Sequence, residues 1–430
     1  MKIIYITGHK NPDLDTVCSA YAYAVLKRKL DPKNQYVAVR CGHLSDSSKK
    51  ILASLNITPP PFMGDVFPKV KDVMLTNDER IESSAPLTEV AKNYKKTNPS
   101  VVPIFEDGEF LGLLSVDDIS SWYMDKLSKG DDLNSVPTIK DVMSKQEAPI
   151  QCTDLFEEAK MSLSTSSKRG LAVFDGNAFR GYVTRRCFLK APKYNVILMD
   201  HNEPKQSIKG IETANILEII DHHRLDAIKT SLPIFIDAEP LGSTCTIVYQ
   251  LFVRNQIVPD KETAKVLLTG MMADTLVLKS PTTTAVDIAA AKALAEICNV
   301  DVKEFGHAMF NNMESISNLN PENAILSDFK RYTERGVNFG IGQLEVTTLA
   351  DLDTYKSKYL RALEDVREKN GLEWAVLMIT NVMSENSVLF TTTHRSVKHL
   401  PYEALEPGIL DLPGVMSRKK QLLPEMIFTL

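Results

Sequence analysis

Several short runs of β-branched and aliphatic residues each end on a cluster of acids and imidazoles. Residues 2–7 (KIIYIT) stop at Gly8 and lead into His9-Lys-Asn-Pro-Asp13-Leu-Asp15. Tyr194 to Met199 ends in Asp200, Ile216 to Ile220 ends in Asp221-His222-His223, and Pro233 to Ile236 ends in Asp237. Such runs predict buried strands. A helix is expected from about Thr16 to Lys29. Strands alternating with helices predict an α/β fold on a parallel sheet, and open sheets of that kind bind ligands beyond the carboxyl ends of their strands. Asp13, Asp15, Asp200 and Asp221-His222 are therefore expected on one edge.

Between the first and second of these strands the chain repeats itself. VKDVM at 70–74 returns as IKDVM at 139–143. Phe105 and Phe174, Phe110 and Phe179, Gly112 and Gly181, and Ser115 and Thr184 keep the same spacing of 69 residues. Each copy reads as a helix followed by a hairpin, turning at Glu106-Asp-Gly and at Asp175-Gly-Asn. The duplicated unit resembles a pair of cystathionine-β-synthase (CBS) domains. Pro59-Pro-Pro61 and Ala191-Pro192-Lys193 read as its entry and exit. Beyond about residue 312 come further strand-like runs at Phe339–Val346 and Glu373–Thr380, with a helix expected over 349–369. The expected division is 1–65 with 194–312, an α+β insert of two copies at 66–128 and 129–193, and a smaller α/β domain at 313–430.

The net charge of −5 disfavours non-specific binding to nucleic acid or to an anionic membrane. The six cysteines form no CxxC pair, which fits a reducing compartment and so a cytoplasmic protein. The amino terminus has no signal-peptide pattern, and no stretch is long and apolar enough to span a membrane. Carboxylates and imidazoles together suit Mn2+, Fe2+ or Co2+. A two-metal site needs a bridging acid and an open position for water. Asp274 is an acid inside the apolar stretch Met271-Met-Ala-Asp-Thr-Leu, unusual unless it is paired or bound to metal. A lone Asp after a strand, by contrast, is most often a helix N-cap.

The motifs GHKNPDLD, MDHNEPKQS, DHH, MMADTLVLKSPT and SRKKQ occur in that order. The series resembles the DHH phosphoesterase superfamily and, within it, the family II (manganese-dependent) inorganic pyrophosphatases, including the subgroup with a CBS insert. The resemblance implies a DHH domain and a DHHA2-type domain with these roles. His9 and Asp13 would bind one metal; Asp15, His222 and Asp274 would bind the other; Asp200 would bridge them. His223 would contact the phosphate of the substrate, with Asp221 orienting an imidazole. Lys330, Arg418 and Lys419 would clamp pyrophosphate from the C-terminal domain; Lys420 has no implied role. Mn2+ or Co2+ would fill the two sites, and Mg2+ would enter with substrate.

The CBS resemblance implies adenine nucleotides (AMP, ADP and diadenosine polyphosphates) as regulators, and a homodimer. The ribose-binding pattern Gly-x-x-Ser/Thr-x-x-Asp is met by Gly112, Ser115 and Asp118. The second copy has Gly181 and Thr184 but Cys187 in place of the acid, which puts a second ribose site in doubt. Arg169, Arg185 and Arg186 are candidates for the nucleotide phosphates. The rival enzymatic reading is a DHH phosphodiesterase acting on oligonucleotides or cyclic dinucleotides. Such relatives carry a glycine-rich motif where this chain has SRKKQ.

Overall fold

The computed structural model describes residues 2–430 apart from 77–79, 98, 133, 145–147, 227–228, 231, 312–318, 347–348, 350–351 and 382–385. The expected boundary at 312–313 falls outside the described residues. The chain forms two compact units, Met1–Val66 with Asn195–Leu430, and Phe67–Tyr194.

The first unit contains two sheets. In the amino-terminal sheet, β1 (Ile3–Thr7) and β2 (Gln35–Val39) are joined by β9 (Asn195–Met199), β10 (Asn215–Asp221) and β11 (Phe235–Ala238) in the order β11-β10-β9-β1-β2, all parallel. Strands covered on both faces read as unbroken apolar runs, and Val196, Ile197, Leu198 and Met199 have no exposed surface. Burying each such side chain contributes about 1.5–3 kcal/mol relative to leaving it in water. The covering helices include Leu14–Leu30, Thr244–Arg254 and Lys261–Asp274. The first starts two residues before the sequence suggested, because Asp13 caps it: its carboxylate accepts from the Thr16 N–H at 2.8 Å. Strand order reverses direction between β1 and β9, which is where a ligand crevice is expected.

The second sheet of this unit is mixed: β12 (Phe329–Glu334), β13 (Val337–Val346), β14 (Trp374–Asn381), β15 (Asn386–Thr391), β17 (Ile409–Pro413) and β16 (Glu403–Glu406), in that order. Helix Leu352–Lys369 packs Tyr359, Leu363 and Val366 on one face, and the carboxyl-terminal segment packs Leu422 and Met426 on the other. SRKKQ lies there, with Arg418–Leu422 forming a π-helical turn.

The other unit is built twice. Strands β3 (Ile81–Glu82), β4 (Val101–Glu106) and β5 (Glu109–Ser115) form one sheet; β6 (Ile150–Gln151), β7 (Gly170–Asp175) and β8 (Ala178–Thr184) form the other, each strand 69 residues after its counterpart. The two hairpins solve the same turn differently. Asp107 and Gly108 both take positive φ, whereas in the second copy Gly176 alone does; these are the signatures of type I′ and II′ turns. The copies meet through their equivalent phenylalanines: Phe110 stacks on Phe179 with ring centroids 4.1 Å apart, and Phe105 and Phe174 close the cluster edge-on.

Candidate functional site

The carboxyl ends of the neighbouring strands β1, β9 and β10 bring together the residues the motifs singled out. His9, Asp13 and Asp15 follow β1, Asp200 follows β9, and Asp221, His222 and His223 close β10. Asp274, at the end of helix Lys261–Asp274, completes the set. Ligand-type atoms within 4.8 Å of one another define one group of His9, Asp13 and Asp200, and another of Asp15, His222 and Asp274. Asp200 stands between them. Its Oδ2 is 3.4 Å from His9 Nε2, and its Oδ1 is 3.5 Å from His222 Nε2. A further grouping joins Asp200 and His222 with His223.

The imidazoles are oriented by their other nitrogens. His222 Nδ1 lies 2.9 Å from the Leu241 carbonyl. A carbonyl only accepts, so Nδ1 donates to it, and this turns Nε2 toward Asp200 and Asp274. His223 Nδ1 donates to Asp221 at 2.9 Å, so Asp221 orients this second imidazole. Asp221 also accepts from Asn202 at 2.6 Å, and Asn202 donates to the Arg224 carbonyl and accepts from the Asp226 N–H. Asn202 thereby ties the loop after β9 to the loop after β10. His201 holds the first of these from inside. Its Nδ1 donates to the Met199 carbonyl, its Nε2 accepts from Ser207, and burial lowers its pKa to about 4.

The electrostatics call for cations. Burial, then the nearby charges of Asp200 and Asp274, push Asp15 well above the usual carboxylate range. Burial, Asp13 and Asp200 do the same to Asp274, against Lys330 and Lys419. Burial alone would lower His9, but Asp13 and Asp200 outweigh it and raise its pKa to about 10. Burial would also raise Asp200, yet the hydrogen bond from His9 and the charges of His223, His9 and His222 hold it well below the usual range. Buried carboxylates packed this closely are costly without compensating charge. The oxygen and imidazole donors fit Mn2+ or Co2+, with carboxylates favouring the harder ions.

A cavity of about 390 Å3 opens on this cluster, lined by Asp13, His222, His223 and Asp274 on one side and Lys330, Arg418 and Lys419 on the other. Lys330 projects from β12. Burial and the charge of Lys330 lower the Lys419 pKa, while Asp274, Asp200 and Asp221 oppose that shift. Arg418 is 6% exposed and already engaged. It donates to the Asp328 carboxylate at 2.9 Å and to the carbonyls of Asp328 and Ile341. Lys420 donates to the Pro281 carbonyl at 3.4 Å. Glu345, absent from the motifs, also lines the cavity, and burial and Asp328 raise its pKa to about 7.

In the duplicated unit a smaller cavity of about 180 Å3 is lined by Ser115, Asp118, Lys168, Arg169 and apolar residues of both copies. Asp118 is 7% exposed and accepts from Ser115 and Ser144. Arg169 is held by Asp117 through two hydrogen bonds. Thr184, Arg185 and Arg186 do not line this cavity, and Arg185 donates to the carbonyls of Leu163, Ser166 and Lys168. Lys168, 3.8 Å from Asp118, is a cation the sequence pattern did not mark.

The DHH family N-terminal domain matches residues 3–271, and the DHHA2 domain matches residues 307–427. A "Cobalt-dependent inorganic pyrophosphatase" of Clostridium perfringens is 27% identical, the alignment covering 99% of this chain and 98% of that protein. A "Probable manganese-dependent inorganic pyrophosphatase" of Lactobacillus helveticus is 38% identical over 57% of this chain and 81% of that protein. A crystal structure from Methanococcus jannaschii, named provisionally for inorganic pyrophosphatase family II, superposes with a TM-score of 0.60. It covers 99% of each chain at 23% identity, and so speaks to the fold. The DHH match across more than half of the chain, and the relative covered over most of its length, show that this chain belongs to the DHH family, among its inorganic pyrophosphatases.

Proposed function

We propose that the chain hydrolyses pyrophosphate to two phosphates at a two-cation centre, and that its duplicated insert is a CBS pair through which adenine nucleotides regulate it. The observation that supports the first part best is the Asp200 carboxylate, which offers one oxygen to each donor group. His9 and Asp13 would hold one cation, Asp15, His222 and Asp274 the other, and Asp200 both. Mn2+ or Co2+, the metals in the relatives' names, suits these donors, and Mg2+ would enter with substrate. Such ions, when bound, polarise phosphoryl oxygens and lower the pKa of water from 15.7 toward ~7.

The chain's own groups bind and orient. Lys330 and Lys419 place two ammonium groups opposite the acids, where each can make a charge-assisted contact to a phosphate. His223, fixed through Nδ1 by Asp221, has Nε2 left to meet a phosphate oxygen. Arg418 adds charge at the cavity wall; Asp328 fixes its plane, and its unused N–H groups remain for substrate. In the insert, Ser115 and Asp118 would take the ribose, and Lys168 and Arg169 the phosphates, of one AMP or ADP that lowers activity; diadenosine polyphosphates would raise it. The outer strand β11 leaves Phe235 and Ile236 half exposed at a sheet edge, which supports pairing with a second copy. Six free cysteines accord with work in the cytoplasm.

A phosphate-release assay with Mn2+ or Co2+ plus Mg2+ tests the activity. Rapid turnover of pyrophosphate with none of a cyclic or linear dinucleotide is expected. The reverse preference would replace this reading with a phosphodiesterase. Unchanged kcat and KM at saturating AMP and ADP would remove the regulatory part.

A further inference from the structure

The bridging assignment leaves one question open, namely what stops the Asp200 carboxylate from turning. The terminal torsion of an aspartate is broad and roughly two-fold. A quarter turn would swing both oxygens out of line with the two donor groups. Two buried hydroxyls oppose it. Thr16 Oγ1 donates to Oδ2 at 2.6 Å, and Thr244 Oγ1 donates to Oδ1 at 2.9 Å. Thr16 stands in the first turn of helix Leu14–Leu30, and Thr244 is the first residue of helix Thr244–Arg254, so each hydroxyl is mounted on a rigid element. Thr16 is 1% exposed, Thr244 is fully buried, and Asp200 is 2% exposed.

A carboxylate oxygen has two lone-pair directions. On each Asp200 oxygen one direction is taken by a threonine hydroxyl. Imidazoles lie by the same oxygens, His9 at Oδ2 and both His222 and His223 at Oδ1. We infer that Thr16 and Thr244 are paired positioning residues that lock the rotation of the bridging carboxylate, one hydroxyl per oxygen, and thereby keep two cation sites rather than one. This rests on the two-cation reading above.

The test is stepwise Mn2+ binding to the full-length protein by equilibrium dialysis, with thermal unfolding of the metal-free variants as the control for folding. Thr16→Val and Thr244→Val remove the hydroxyl and keep the branch. Each is expected to weaken one of the two binding steps about 10- to 100-fold, the usual effect of losing an outer partner of a metal ligand, while the other step stays within a few-fold. Thr16→Ser and Thr244→Ser restore the hydroxyl and should restore parental affinity, which a purely packing role would not produce. Where a Val variant unfolds, Thr→Ala at that position carries the same expectation. Asp200→Asn separates the two ideas. If it binds two Mn2+ ions as tightly as the parent, the two-cation reading falls. If it loses them while both hydroxyl-free variants bind like the parent, the positioning role falls.

Discussion

Gly8→Ala is the smallest change that puts this geometry at risk. The new Cβ would lie 2.0 Å from Thr16 Cγ2, 3.1 Å from Thr16 Cβ and 3.3 Å from the Thr16 carbonyl. The first distance is far inside van der Waals contact, and the methyl cannot yield into solvent because Thr16 is 1% exposed. Two responses are open. The helix can shift, an overpacking cost of about 1–3 kcal/mol. Alternatively, Thr16 can turn about χ1 to move its methyl away, which swings Oγ1 off Asp200 and loses a charged hydrogen bond worth about 1.5–3 kcal/mol. Either route destabilises the metal-free protein by about 1–3 kcal/mol; the second also weakens Mn2+ binding about 10- to 100-fold. The second mutation that decides between routes is Thr16→Ser. Serine lacks the clashing methyl and keeps the hydroxyl, so Gly8→Ala/Thr16→Ser should recover most of the lost Mn2+ affinity. Dialysis and thermal melts of the two single variants and the double variant complete the cycle. A silent Gly8→Ala, or a double variant no better than Gly8→Ala, refutes the reasoning.

Lys419→Ala should lower kcat/KM for pyrophosphate by roughly 10- to 150-fold, the equivalent of one charged phosphate contact at about 1.5–3 kcal/mol, with little change in melting temperature; steady-state kinetics at saturating Mn2+ and Mg2+ checks it. Stripping cations with a chelator leaves Asp15 and Asp274 buried against other carboxylates, so the melting temperature should fall. Returning Mn2+ at about 100 times its Kd should restore about 2.7 kcal/mol, and calorimetry reads both arms. Asp118→Ala should abolish the response of activity to AMP while leaving basal turnover within about two-fold, because Asp118 lies in the separate unit Phe67–Tyr194; titrating AMP against both proteins decides it.

The sequence exposed the sheet edge because β1, β9 and β10 each run through aliphatic residues into a buried carboxyl end, so the acids that follow stand out. It exposed the insert because equivalent phenylalanines must meet across the repeat, which preserves their spacing. Strands β15, β16 and β17 were harder to read. β16 is short and every residue of it is exposed, and β17 pairs with β15 across a longer separation than a hairpin. The supports of the site were hidden for a different reason. A hydroxyl or carboxylate at the start of a helix reads as a cap, and that reading is correct as far as it goes. Ser243 Oγ accepts from the Cys245 N–H, yet its own proton goes to Asp15 at 2.5 Å. Thr16 stands in the first turn of a helix, yet its hydroxyl serves an acid 184 residues later. Asp13 accepts from the Thr16 N–H through Oδ1, while its Oδ2 faces His9 Nε2 at 3.4 Å. Cap and ligand are therefore not alternatives at these positions. A carboxylate has two oxygens, a hydroxyl both donates and accepts, and a site at the helix starts beyond a parallel sheet can use the half that capping leaves free.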